Sequence, residues 1–477
     1  MHPISAESFI EDTTEALANP ELRRNFRRAM DGLMTKRSAQ FPVDDETEAY
    51  RELSHRVRLK VLRQLPELLE RLEANCEANG IRVHWAETVE EANEVVLQIA
   101  RSHEARYFVK GKSMVSEEME LNHYLEAHGL ESLESDLGEY IVQLRKELPS
   151  HIIMPAIHLN TEQINQTFVQ EGVSANGEAS AEEMTGLARE VLRRKFHEAH
   201  IGISGVNFAV AETGTLCLVE NEGNGRYCTT LPPVHVALMG IEKVVERLEE
   251  VTPLLHMLTR SATGQPITTY FNMISSPRRK GELDGPKEVH LVLLDNGRSR
   301  MHQDALLQET LMCIRCGACM NHCPVYTRIG GHAYNAVYPG PIGKILTPQM
   351  KGLHDAGHLA SASSLCGACV EVCPVKIPIT EILLRLREDK AEEGRKEAWS
   401  TGAGAKARLE QWVWKGWAQL FSSPRLYRIK LRALGLLGNR IPENAPLLKA
   451  WTSVRRKPRF APKSLHQLAE EAGIPER

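Results

Sequence analysis

The stretch Cys313-Ile-Arg-Cys316-Gly-Ala-Cys319-Met-Asn-His-Cys323-Pro324 decides how this chain is read. Three cysteines stand three apart, a fourth follows four residues later, and proline closes the run. Such spacing lets one tight loop set three thiolates on three corners of a cubic [4Fe–4S] cluster. The fourth leaves in another direction to ligate the second cluster of a pair. A second cluster needs a second loop, and Cys366-Gly-Ala-Cys369-Val-Glu-Val-Cys373-Pro374 provides it about 50 residues further on. Cys316, Cys319, Cys323 and Pro324 align with Cys366, Cys369, Cys373 and Pro374, and Gly-Ala recurs in both loops. Cys313 falls against Ser363, so the repeat offers seven cysteines where two all-thiolate cubes take four apiece.

The crossed pattern assigns Cys313, Cys316, Cys319 and Cys373 to cluster one, and Cys323, Cys366 and Cys369 to cluster two. Cluster two is then a [4Fe–4S] cube with one iron held by water, serine or another side chain, or a [3Fe–4S] cluster lacking that iron. A structural zinc site instead draws cysteine pairs from two separate knuckles to close a tetrahedron. Four cysteines within eleven residues, repeated and ending in Cys-Pro, suit a cube of the ferredoxin type. Most of the chain has no cysteine, which argues against a disulfide framework. Cys76, Cys217 and Cys228 stand alone and read as small buried apolar residues.

At 477 residues the chain is long enough for about two to four domains. A 42% hydrophobic fraction supplies a large core, and a net charge of −4 gives no global attraction to nucleic acid. The first residues lack a basic stretch followed by an apolar run, so no signal peptide is expected. No segment reaches about 18 uncharged apolar residues, so no transmembrane helix is expected. Thiolate clusters without an export signal point to a reducing cytoplasm.

Working outward from the loops, residues 1–75 read as helical. Leu53, Val57, Leu62, Leu65, Leu68 and Leu69 recur at helical spacing among charges. Arg23, Arg24, Arg27 and Arg28 read as a solvated helix face. From 76 to 295 short apolar runs alternate with helical patterns. Strands are expected at Ile81–Trp85, Arg106–Val109, His151–Met154, Phe208–Val210, Thr215–Val219, Val234–Met239 and Val289–Leu294. Thr88-Val-Glu-Glu opens a helix through about Ser102, and Ser116 is expected to cap another. Such alternation implies an α/β domain with a mainly parallel sheet covered on both faces. Residues 296–390 form the small, mostly helical two-cluster domain. Residues 391–477 form a helical tail holding five of the six tryptophans (Trp399, Trp412, Trp414, Trp417, Trp451), with basic residues outnumbering acidic ones by roughly two to one.

Several tempting motifs fail. Gly111-Lys112-Ser113 ends like a phosphate-binding loop, but Arg106 sits where that loop needs glycine. His197 and His200 lie three apart, one short of the zinc-protease spacing. Ser204 lacks a complete nucleophile elbow, and Gly223-Asn-Gly225 lacks the third glycine of the dinucleotide fingerprint. One polar stretch remains open: the Thr213-Gly214-Thr215 turn with Gly223-Asn-Gly225-Arg226 either offers N–H groups and a guanidinium to an anion, or serves only tight turns.

Lys110-Gly-Lys-Ser-Met-Val-Ser-Glu-Glu118, Asp136-Leu-Gly-Glu-Tyr-Ile-Val-Gln-Leu144, Ala211-Glu-Thr-Gly-Thr215 and Leu231-Pro-Pro-Val-His235 resemble the LUD domain of lactate utilization proteins. With the double cysteine loop behind it and the Trp-rich basic tail last, the whole order resembles the LutB-type lactate utilization iron–sulfur family. The resemblance implies a CoA-transferase-like fold for the LUD domain. It also implies electron carriage in the oxidation of L-lactate to pyruvate, alongside LutA-like and LutC-like partners, and only three cysteines for the second cluster. The acceptor is left open, and contact with a membrane is expected only through partners. Two other readings compete. The LUD domain could itself act on a carboxylate or thioester through Glu212 or Arg226, although a transferase-like fold does not carry a transferase function with it. A nucleic-acid role would rest on the basic tail alone, where Trp414 and Trp417 sit at near-helical spacing suited to packing or docking.

Overall fold

The apolar β-branched runs around Val236 and Val292 form the centre of a parallel sheet in the computed structural model, because both faces of those strands are buried. The structure describes all residues except 1–3, 176, 401–403, 443–444, 446–451, 453–455 and 475–477, and omits the side chains of 395–400 and 404–411. Two compact units result, residues 1–390 and 391–477.

The first unit opens with α1 (Ala6–Ala18), α2 (Pro20–Gln40), α3 (Asp45–Arg63) and α4 (Leu65–Ala78). Ser5, Asn19 and Asp44 cap the first three by accepting N–H groups of the first turn. The apolar stripe read from the sequence buries Val57, Leu62, Leu65, Leu68 and Leu69, while Arg23, Arg24, Arg27 and Arg28 face solvent. Helices α2 and α3 reach the second cysteine loop. Arg51 Nη2 donates to the carbonyls of Glu371 (2.8 Å) and Cys373 (2.9 Å), and Arg37 Nη2 to that of Val372 (3.0 Å). His55 Nδ1 lies 3.0 Å from the Val375 carbonyl.

The strands are β1 (Arg82–Ala86), β2 (Tyr107–Lys110), β3 (Glu131–Glu134), β4 (Ile201–Gly205), β5 (Phe208–Val210), β6 (Thr215–Glu220), β7 (Val234–Gly240), β8 (Val244–Val245), β9 (Tyr270–Ile274) and β10 (Glu288–Leu294). Six of them form one sheet in the order β1-β10-β7-β4-β2-β3, with every pair parallel. Alternate residues feed two cores, as the two-residue period requires. Val236 and Leu238 pack with Ile201, Phe108 and Val96, the last from α5 (Val89–Ser102). Ala237 and Met239 pack with Val61 and Leu72 of the N-terminal helices. A smaller sheet, β8-β5-β6-β9, flanks it with antiparallel pairs β5–β6 and β6–β9.

Two local expectations are corrected. His151–Met154 is a turn and not a strand, because His151 Nδ1 accepts the N–H groups of Ile153 (3.0 Å) and Met154 (3.2 Å). The cap expected at Ser116 belongs to Ser113, which starts the helix Met114–Glu118. Ser116 is instead buried inside that helix, where its hydroxyl accepts from Lys110 Nζ at 2.8 Å.

The cysteine-bearing segment is built from short helices around its loops, chiefly Ala318–Asn321, Tyr326–Ile329, Gly340–Lys351 and Ala368–Glu371. In the second unit the helices Gly404–Ser422 and Pro424–Leu437 carry a run of aromatic contacts. Trp414 meets Trp417 edge-on at 5.9 Å and Trp417 stacks on Phe421 at 4.3 Å, as their helical spacing allows. Trp451 and the Trp399 side chain lie outside the described residues. Among the described residues no helix is long and apolar enough to cross a membrane.

Candidate iron–sulfur site

The sequence repeat is a backbone repeat. Arg315 and Leu365 both hold left-handed φ, +60° and +54°, and so do Gly317 and Gly367 at +74° and +83°. Each glycine then starts an equivalent short helix, Ala318–Asn321 or Ala368–Glu371. Left-handed backbone at a non-glycine residue is uncommon, and its recurrence at matching positions marks two copies of one loop.

The loops differ in their surroundings. A Cβ on Gly317 would meet His151 and Ile153, so the first loop packs tightly against the turn at 151–153. A Cβ on Gly367 would meet nothing within 4 Å. Cys313, Cys316, Cys323, Cys369 and Cys373 are buried, Cys319 is half-buried and Cys366 is exposed. Burial, then the nearby thiols of Cys313 and Cys373, push Cys316 up to about 12. Cys319 is raised by burial and by Cys316, Cys313 and Cys373. Burial, then Cys323 and Cys366, push Cys369 up to about 11. Cys373 thus neighbours the first loop, and Cys323 neighbours the second. Exposed Cys366 is the reverse case: the N–H of Ala368 and the Ser364 hydroxyl lower its pKa.

The donor set suits an iron–sulfur cluster. Among the described residues no three of these sulfurs lie close enough to share a single ion, as a tetrahedral zinc would require. Backbone N–H groups point at the sulfurs: Arg315 to Cys313 (3.4 Å), Tyr326 to Cys323 (3.5 Å) and Ile377 to Cys373 (3.4 Å). Lys344 Nζ, buried, donates to Cys323 Sγ at 3.5 Å. Such donors disperse thiolate charge and are one of the levers on cluster potential. Cys76, Cys217 and Cys228 are fully buried away from the loops, and burial raises each to about 12.

A buried ionic network joins the loops to the sheet domain. Glu242, just past β7, accepts Arg298 Nε at 2.6 Å and Arg315 Nη2 at 3.3 Å. Arg298 Nη2 also donates to Glu118 at 2.7 Å, and Glu118 accepts the Tyr338 hydroxyl. Burial alone would raise Glu242, but Arg298, Lys243 and Arg315 outweigh it and hold the carboxyl at about 2. Gly240 lacks a side chain of necessity, since a Cβ there would overlap Glu242 and Arg298. Arg58 donates to the carbonyls of Glu242, Leu311 and Met312, and Lys243 Nζ to that of Cys313 at 3.0 Å. No local pattern signals this network, whose members come from six separate segments.

Next to it lies a cavity of about 430 Å³ at the carboxyl ends of β2 and β4. The chain leaves β2 toward β3 at one edge and leaves β4 toward β7 in the opposite direction, the switch point where open α/β sheets bind ligands. Gly111-Lys112-Ser113 and Ser204-Gly205, set aside as motifs, both line it. The polar stretch that was left open divides: Asn224 and Gly225 line the cavity, whereas Thr213-Gly214-Thr215 and Arg226 do not. Gly214 packs against Asn75 and Cys76 of α4. The N–H groups of Gly225 and Arg226 are taken by the Glu220 carboxylate at 2.6 and 2.8 Å. Arg226 is exposed and stacks over Tyr270, and Glu212 is exposed, so neither residue lines the cavity.

A parallel α/β domain carrying a double cysteine loop defines a LUD-domain iron–sulfur protein. Three family models match accordingly: LUD domain over residues 69–294, 4Fe-4S dicluster domain over 309–377, and Lactate utilisation protein B, C-terminal, over 385–474. The chain is 42% identical over 95% of each chain to Lactate utilization protein B of Shouchella clausii. It is 41% identical over 95% of each chain to that of Bacillus pumilus. To the uncharacterized electron transport protein YkgF of Escherichia coli it is 42% identical over 88% of this chain and 86% of the relative. A DUF162 family protein from Deinococcus radiodurans aligns over 48% of this chain and 98% of its own at 14% identity and a TM-score of 0.27. The chain belongs to the lactate utilization protein B family.

Proposed function

We propose that this protein carries electrons in the oxidation of L-lactate to pyruvate, in the cytoplasm, acting with LutA-like and LutC-like partners and passing them to an acceptor still to be identified. Cys313, Cys316, Cys319 and Cys373 hold cluster one. Cys323, Cys366 and Cys369 hold cluster two, whose remaining corner is taken by a non-cysteine ligand or left without iron. The clusters supply one-electron redox chemistry when bound. The observation that carries the reading is the doubled loop, with Cys373 against the first loop and Cys323 against the second. Sulfur-directed N–H groups and Lys344 stabilise the more negative state of each centre. The exposed second loop, with open space about Gly367, is the face offered to a redox partner.

The test is anaerobic purification with iron and sulfide analysis and spin-resonance spectroscopy of both oxidation states. L-lactate is then added with and without the two partners. Bleaching of the visible cluster absorbance only when partners are present is the expected result. Intact clusters that no combination of partners and lactate reduces would sink the reading.

A further inference from the structure

We propose that the cavity at the β2–β4 switch point binds a small organic carboxylate, whose charged group pairs with the Arg315 guanidinium beside the first cysteine loop. The cavity, about 430 Å³, falls within the range of small-molecule sites. Arg315 lines it and is only 9% exposed. Its Nη2 is held by Glu242 at 3.3 Å and its plane lies over Tyr338 at 4.6 Å, but its Nη1 is buried with no hydrogen-bond partner. A buried guanidinium N–H is costly to leave unpaired, and the planar fork of arginine matches a carboxylate. Lys243, held by the Cys313 carbonyl, lines the same cavity, where the Glu242 carboxylate is already engaged by Arg298.

The rest of the lining narrows the ligand. Asp136, Glu220 and Glu222 line other parts of the cavity and disfavour a multiply charged anion such as a phosphate ester. Ile152, Leu218 and Leu258 offer apolar surface to an organic body. One negative charge on a compact, partly apolar molecule satisfies all three features. The guanidinium also belongs to the loop itself, since the backbone N–H of Arg315 donates to Cys313 Sγ at 3.4 Å. A carboxylate on the guanidinium therefore alters the field at that sulfur.

The inference stands on the cavity and not on the electron-carrier reading, and its test needs no partner protein. Full-length, iron-loaded protein is titrated anaerobically with acetate, L-lactate, pyruvate and benzoate, by calorimetry and by spin resonance. At least one should bind and shift the signal of one cluster. Arg315→Gln should weaken that binding by about tenfold or more. Thr263→Trp fills the cavity from the end of the helix Val251–Thr263, away from the ionic network, and should do the same with iron content unchanged. If no probe binds, or if binding survives both substitutions, Nη1 serves the cluster rather than a ligand and the proposal falls.

Discussion

Ser363 Oγ accepts the N–H of Leu365 at 3.2 Å, as Cys313 Sγ accepts the N–H of Arg315 at 3.4 Å. The serine occupies the cysteine's place in the second loop, with the same donor held by the same left-handed backbone. At this position the departure from the repeat is one atom, oxygen for sulfur. A hydroxyl gives up its proton far less readily than a thiol, so Ser363 makes a poor iron ligand at neutral pH.

Replacing Ser363 by Cys should complete the fourth thiolate without moving the backbone. Iron per chain should rise toward two full cubes if the native protein holds fewer, and only one of the two spin-resonance signals should change. An unchanged spectrum from a native protein that already shows two ordinary [4Fe–4S] signals would mean that another residue fills the corner.

The crossing of the Cys-Pro arms gives a second expectation. Cys373→Ala should damage the same signal as Cys313→Ala and spare the one lost in Cys366→Ala, because Cys373 neighbours Cys313 and Cys316. Cys373→Ala spectra that match Cys366→Ala would reverse the assignment.

Removing the charge of Glu242 should be costly. Glu242→Gln leaves Arg298 and Arg315 short of a buried counter-charge, a loss of about 3–5 kcal/mol. Glu48→Gln, at an exposed pair with Lys376, should cost under about 1 kcal/mol. Urea denaturation of iron-loaded protein compares them, and equal midpoints would deny the network its role.

His151 and His235 set an acid limit. Burial lowers His151 to about 4, and burial followed by His290 lowers His235 to about 3, so both stay neutral in the fold. The unfolded chain binds their protons below about 6.5, so their contribution is complete above that pH and falls as pH drops. Each is worth on the order of 3 kcal/mol at the acid end. Stability from denaturant titrations should already decline between about pH 6.5 and 5, and His151→Gln and His235→Gln should flatten that decline. A flat profile there would show these histidines to be charged in the fold.

What could be read in advance follows from the range of the interactions. The cysteine loops, the Thr88 cap and the apolar strands β7 and β10 are written in adjacent residues, and the structure has all of them. Strand β3, Glu131-Ser-Leu-Glu134, has no apolar run because it is the edge strand, and it went unread. His151–Met154 looked like a strand by composition, but a histidine ring capping its own turn has no composition signal. The cavity was invisible for a different reason. Lys112, Gly205, Lys243 and Arg315 come from four separate elements, and only the crossing order of the sheet brings them together.

The reach of α2 and α3 to the second cysteine loop has a bearing on how the chain is made. Arg51 and its acceptors at Glu371 and Cys373 are 320 and 322 residues apart. The helix leaves the ribosome early, and the carbonyls it clamps follow 320 and 322 residues later. Domains usually fold in the order in which they emerge, but this first unit joins its own two ends. Through most of synthesis Arg37, Arg51 and His55 have nothing to hold, and closure waits until Val375 has emerged. Closure around the second cysteine loop is therefore a late step in the folding of this unit. The nascent protein must stay soluble until then with its clamp open.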